Sequence, residues 1–261
     1  MNSTPKDRTR LEGRSVTVTG GGSGIGRASS ILLAERGAKV VVADVNETGG
    51  LETVEMIKSA GGVARFIRTD VSKEPEVQAM VKDAIDNFGG LHGALNCAAV
   101  ESNTHAVLHE EPLEQWNRLV AVNQTGVFLC MKYQAAHMVK NGGGSIVNIA
   151  SVAGLTAIPN LSAYVATKHA VVGLTRAASC DYAALGIRVN AIAPGAIDTP
   201  MLKDALQDPI AKEHILRMHP IGRVGQPWNI AEGVAWLISD ASGFVTGTCV
   251  FEYSATSFPA E

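Results

Sequence analysis

The chain has 261 residues, 46% of them apolar, and a formal net charge of −3. That is ample material for one large α/β core, and with the basic residues scattered it gives no pointer to nucleic acid or an anionic membrane surface as a partner. The four cysteines (97, 130, 180 and 249) lie far apart, without CxxC or cysteine–histidine ligand spacing, which argues against a disulfide framework or a metal site, and no apolar run approaches the length of a membrane span.

Residues 1–14 read as a polar, flexible leader, and residues 15–261 as a single domain in a reducing, cytoplasmic setting. Ser15 to Thr19 alternates as a strand does and runs directly into TGGGSGIG, after which Ile25 to Arg36 has helical spacing with Gly37 as its stop. Glycines at 20, 24 and 26 allow close backbone approach, and the first N–H groups of the following helix, with Ser23, Gly24 and Ile25 at its mouth, form a seat for a pyrophosphate. Lys39 to Ala43 is a second strand ending in Asp44, an acid placed to take both ribose hydroxyls of the adenosine half of NAD. A plain turn-capping role is also open to it, although Asn46 can cap equally well. Gly49 and Gly50 disfavour a helix by about 1 kcal/mol each, so the next helix is expected from Leu51 to Ala60.

Val63 to Thr69 is a third strand ending at Asp70-Val71, a helix from Ser72 to Phe88 follows, and Leu91 to Leu95 is the fourth strand, ending at Asn96. A long helix is expected from Leu113 to Met138, carrying Asn123. A strand follows from Ser145, then a helix from about Ser162 to Leu185, a sixth strand at Arg188 to Ile192, and an amphipathic flap over about 200–220. A helix at Ile230 to Ile238 precedes a last strand at Thr248 to Phe251. Strands alternating with helices in this way predict a Rossmann-like, doubly wound parallel sheet of about seven strands with helices on both faces, its ligands at the carboxyl ends of the strands.

Chemistry concentrates between Ser145 and Leu174. Tyr164 and Lys168 stand four apart on one helical face, so the ammonium can sit beneath the phenol, where a fixed cation would favour the phenolate and lower its pKa. Ser151, thirteen residues upstream at the mouth of a strand, could hydrogen-bond the same substrate oxygen.

Together these pieces resemble the short-chain dehydrogenase/reductase family, from Leu11 to about Phe251. TGGGSGIG is similar to its cofactor loop, Asp70-Val71 to its adenine-contacting pair, Asn123 to its structural and catalytic asparagine, and Ser151, Tyr164 and Lys168 to its remaining catalytic positions. PGAIDTP at 194–200 resembles the segment that closes on the nicotinamide amide, with Ile197 and Thr199 as its contacts. The resemblance implies an NAD-dependent oxidoreductase interconverting a secondary alcohol and a ketone. Tyr164 would be the acid–base, Lys168 would hold the nicotinamide ribose, and Asn96 would lie beside the cofactor. It also implies a homo-oligomer, most commonly a tetramer.

Two departures stand out. The family's Asn-Asn-Ala-Gly reads Asn96-Cys97-Ala98-Ala99 here, and its Val-Asp-Gly-Gly reads Glu252-Tyr253-Ser254-Ala255. Val100 to Leu108, Leu155 to Leu161 and the Met201 to Met218 flap are the expected substrate walls, offering Leu155, Ile158, Leu161, Met201, Leu202, Leu206 and Met218 to a neutral, apolar, cyclic or steroid-like alcohol. A 3-oxoacyl thioester reductase or a polyol or sugar dehydrogenase is the alternative enzyme. A non-catalytic NAD-binding protein would be expected to lack one of the four polar side chains, and all four stand.

Overall fold

The structure, a computed structural model, describes residues 7–252. In chain order its main elements are β1 (Ser15–Thr19), α1 (Gly24–Glu35), β2 (Lys39–Asp44), α2 (Glu47–Ser59), β3 (Val63–Arg68), α3 (Glu74–Phe88), β4 (Gly93–Asn96) and α4 (Leu113–Leu119). They continue with α5 (Gly126–Met138), β5 (Gly144–Ile149), α6 (Ser162–Tyr182), β6 (Ile187–Pro194), α7 (Lys203–Gln207), α8 (Pro209–Arg217), α9 (Pro227–Ile238) and β7 (Cys249–Glu252). Among the described residues seven strands form one sheet in the order β3-β2-β1-β4-β5-β6-β7, every pair parallel. The order reverses between β1 and β4, the point at which such sheets open a crevice at their carboxyl edge.

Alternate strand residues feed two cores. Val16, Val18, Val40 and Val42 pack with Leu33, Ile57, Ile230 and Val234 on one face of the sheet. Val41, Ala94, Ile146 and Val189 pack with Met80, Val127 and Val171 on the other. The strands are buried on both faces, which is why they read as apolar runs instead of alternating.

Three expectations are corrected. Helix α2 begins at Glu47, not Leu51, with Asn46 Oδ1 capping the Gly49 amide at 3.1 Å. Its two glycines serve packing: a Cβ on Gly50 would lie 2.2 Å from the Phe66 ring, and one on Gly49 2.7 Å from the Gly22 carbonyl. Close approach therefore outweighs the helix propensity that placed the start later. The helix expected over 113–138 is interrupted by a π turn, Val120–Thr125, which carries Asn123. The polar leader read through residue 14 is already packed at Leu11, which is fully buried and whose amide donates to Arg36 O at 2.8 Å, while Arg14 pairs with Asp240 at 2.6 Å. Of the C-terminal departure, Tyr253, Ser254 and Ala255 lie outside the described residues.

Candidate active site

Gly20, Asp44, Asn96 and Ser151 stand at the carboxyl ends of β1, β2, β4 and β5 and meet at one edge of the sheet. The glycine turn is tight enough that a Cβ on Gly26 would fall 2.0 Å from the Gly20 carbonyl, and one on Gly20 3.0 Å from the Ala98 backbone. Ser23 opens α1 without a side-chain cap, and the first turn holds no acidic residue. The positive end of this helix is thus left for an external anion, and the residues present fit the pyrophosphate of a dinucleotide. Asp44 accepts from the amides of Gly22 at 2.8 Å and Asn46 at 2.9 Å, so its carboxylate is fixed beside the loop, while Asn46 does the helix capping. Thr199 reaches back over the same loop, its Cγ2 3.1 Å from where a Cβ of Gly24 would stand. Ile197 is buried and pairs with Gly225.

The catalytic candidates converge as the helical spacing predicts. Lys168 is buried, its Nζ 5.6 Å from the centre of the Tyr164 ring and donating to Ile149 O at 3.0 Å. Ser151 accepts from the Ala153 amide at 3.1 Å and stands close enough to the Tyr164 phenol to favour its charged form.

Their electrostatics differ from the expectation that Lys168 lowers the phenol's pKa. Tyr164 keeps some exposed surface, but its hydroxyl is enclosed, and burial pushes the phenol up to about 12. The Ser151 hydroxyl opposes that rise, whereas Glu101 and Cys97 add to it. Burial also pulls Lys168 down to about 8. In the protein alone, desolvation therefore outweighs the cation, which is itself committed to a backbone carbonyl.

Other expected site residues are also bonded or packed within the fold. The Asn123 side chain embraces the backbone of Val100, accepting from its amide and donating to its carbonyl, both at 2.8 Å. The side chain of Asn96 is turned into the core, bonded to Gln134 and to Asn148 Oδ1 at 2.9 Å, so only its backbone is left to face a cofactor. Asp70 accepts from the Ser72 amide and hydroxyl, and Val71 packs on Gly126. Cys97 and Ala98 both donate from their backbones to Thr19 Oγ1, and burial pushes the Cys97 thiol up to about 12, so it stays protonated. Ala99 takes the family's glycine position without a positive φ.

Three contributors carry no motif. Arg27 ties the glycine turn to α2 through the carbonyls of Gly22 and Gly49 and through Glu52 at 2.9 Å, which leaves this base already engaged beside Asp44. His219 anchors the end of the flap, its Nε2 accepting from the Ala196 amide at 2.8 Å while Nδ1 donates to Ile215 O. Glu101 follows the clamped Val100 and acts on the Tyr164 phenol. Of the wall segments expected, 106–108 and 157–160 line one apolar hollow of about 570 Å³ together with Val165 and Ala166, while the flap and the four catalytic candidates do not line it.

Residues 20–251 match the model of the enoyl-(acyl carrier protein) reductase family. The chain is 48% identical to the 2,5-dichloro-2,5-cyclohexadiene-1,4-diol dehydrogenase of Sphingobium indicum, over 92% of its own length and 95% of the relative's. It is 41% identical to the cyclohexanol dehydrogenase of an Acinetobacter species, over 88% and 90% of the two chains. The solved structure of a 7α-hydroxysteroid dehydrogenase complexed with NADH and 7-oxo glycochenodeoxycholic acid superposes with a TM-score of 0.90 at 33% identity, covering 97% of each chain. The parallel sheet, the glycine turn and the meeting of Ser151, Tyr164 and Lys168 at its carboxyl edge agree with these likenesses, and the chain belongs to the short-chain dehydrogenase/reductase family.

Proposed function

We propose that the protein is an NAD-dependent dehydrogenase that oxidises a secondary alcohol on a carbocyclic ring to the ketone, and runs the reverse reduction. The observation that carries this reading is the cluster of Ser151, Tyr164 and Lys168 beside an uncapped helix N-terminus and the Asp44 carboxylate. The nicotinamide coenzyme supplies the hydride acceptor, and Gly20, Ser23, Gly24, Ile25, Gly26, Asp44, Asp70, Val71, Asn96, Ile197 and Thr199 are the residues assigned to hold it, with Lys168 on its ribose. Tyr164 takes the alcohol proton in oxidation and returns it in reduction, and Ser151 holds the alcohol oxygen. A placed acid–base group and a polarising donor are each worth about 10² to 10⁴ in rate.

The ring preference is supported by the cyclohexadiene-diol and cyclohexanol substrates named for the relatives. Among the described residues no helix is long and apolar enough to cross a membrane. We assign a cytoplasmic homotetramer. Exposed Trp228, Phe244 and, on α5, Phe128 are apolar surface that subunit contact would cover. Incubation with NAD and a panel of cyclohexanols, cyclohexanediols and linear secondary alcohols tests the activity. NADH formation confined to ring alcohols is expected, and none with any ring alcohol would refute the reading. A monomer by light scattering at micromolar concentration would refute the assembly.

A further inference from the structure

We propose that His219 is a positioning residue: its imidazole ties the neck of the 200–218 flap to the strand end that leads into Ile197 and Thr199, and through that backbone it sets how firmly NAD and the ring alcohol are held. The inference rests on the ring-alcohol reading for the identity of the substrate and gives a role to a residue that no motif marks.

The flap begins and ends beside the carboxyl end of β6. Past Pro194, the Ala196 carbonyl accepts from the Gly225 amide and the Asp198 amide donates to the Gly225 carbonyl, both at 2.9 Å. Thr199 then lies over the glycine turn at Gly24. The chain leaves through a single short turn, Pro200–Leu202, and the helices α7 and α8, with Met201 and Ile210 exposed. Among the described residues, the hydrogen bonds and ion pairs of 200–218 stay within that segment, save those to Thr199 and His219. Polar contacts therefore hold the flap at its ends and not along its length.

His219 is where the second end closes on the first. The residue is 7% exposed and its ring is bonded on both sides: Nε2 accepts from the Ala196 amide at 2.8 Å, and Nδ1 donates to Ile215 O, in the last turn of α8, at 2.6 Å. These roles fix the tautomer, since an amide needs a bare nitrogen and a carbonyl needs an N–H. The Nδ1 bond is local to the helix end, and the Nε2 bond is the one that spans the loop. With its carbonyl on Gly225 and its amide on His219, Ala196 is clamped from both sides, and Ile197 and Thr199 take their positions from it. Losing the Nε2 bond frees both the start of the coenzyme segment and the end of the flap.

Two substitutions separate the two bonds. His219→Gln sets an amide oxygen near the Nε2 position, so it can keep the bond to Ala196 while giving up the one to Ile215. His219→Asn can keep the bond to Ile215 and falls short of Ala196. In His219→Asn, KM for cyclohexanol and the NADH dissociation constant by fluorescence titration should each rise at least about fivefold, while kcat falls by less than about twofold. Trypsin should also cut this variant faster after Lys203, Lys212 and Arg217, all exposed on the flap. His219→Gln should stay within about twofold of the unaltered protein in every measurement. A general loss of folded enzyme would instead lower kcat and leave KM alone. Unchanged KM and NADH affinity in His219→Asn, or a His219→Gln as impaired as His219→Asn, would overturn the inference. Should the unaltered protein oxidise no ring alcohol, the ring-alcohol reading falls, and NADH titration with tryptic cleavage still decides the role of His219.

Discussion

Replacing Lys168 with methionine is expected to stabilise the protein at neutral pH while ending catalysis. The ammonium is 3% exposed, and burial moves its pKa from 10.5 to about 8. At 1.36 kcal/mol per unit, holding the charge inside at pH 7 costs about 3 kcal/mol relative to the unfolded chain. Methionine carries no charge and fills similar space, but it forfeits the bond from Nζ to Ile149 O, worth about 1 kcal/mol, for a net gain of about 2 kcal/mol.

The sign depends on pH. The depressed lysine pKa means that wild-type stability rises between about pH 8 and 10.5, where the unfolded chain holds a proton that the folded one has released. The variant's advantage should therefore shrink to below about 1 kcal/mol by pH 9.5 and reverse near pH 10. The Tyr164 phenol, at about 12 where a free one is near 10, removes stability from both proteins above pH 10 and cancels in the comparison. Urea unfolding of both proteins at one concentration, at pH 7 and pH 9.5, reads the difference directly. A variant less stable than wild type at pH 7, or a gap that does not narrow with pH, would refute the reasoning.

Tyr164→Phe removes the transferable proton and keeps the ring, so turnover should vanish while NAD affinity changes less than about threefold by fluorescence titration; more than a few per cent residual activity refutes the role. Ser151→Ala removes the hydroxyl that favours the phenolate, so the alkaline rise of alcohol oxidation should move to higher pH, and a shift to lower pH would show that this hydroxyl is not acting on Tyr164. Asp44→Ala should weaken NAD and relieve a barrier to NADP, since a carboxylate about 4 Å from a phosphate charge repels it by roughly 4 kcal/mol at an effective dielectric near 20. Screening leaves at least about a tenfold preference for NAD. Equal efficiency with both coenzymes in the unaltered protein would leave Asp44 only its bonds to Gly22 and Asn46.

The fold was legible because its determinants are local. Apolar runs of strand length, glycine stops and helical spacing locate β1 through β7 to within a few residues, and the i, i+4 spacing alone brings Lys168 under Tyr164. What escaped depends on contacts distant in the chain. Gly49 and Gly50 look like helix breakers until Gly22 and Phe66 are seen against them. Asn123 and Asn96 match catalytic and cofactor positions by motif, yet their side chains bind Val100 and Gln134. Helical spacing reveals a charge beside the phenol and says nothing of how far the hydroxyl is removed from water, so it points to a lowered pKa where burial raises it. Arg27 stands in no motif, and Glu101 lies in the expected wall segment 100–108, where nothing in the immediate sequence tells what its side chain faces.

The amide pairing of Asn96 and Asn148 also has a bearing on how the sheet finds its alignment. Parallel strands with apolar residues on both sides slide past one another with little to tell one position from the next. Here Asn96 and Asn148 are register partners, and Asn148 donates onward to Thr175 on α6 at 2.9 Å. A two-residue slip of β5 would preserve which side chains face which core but strand several buried amide groups at about 1–3 kcal/mol each. The pairing works as an index mark. Ser151 lies three residues beyond Asn148 and Val100 four beyond Asn96, so the mark that aligns two strands also meters how far each half of the site projects from the sheet.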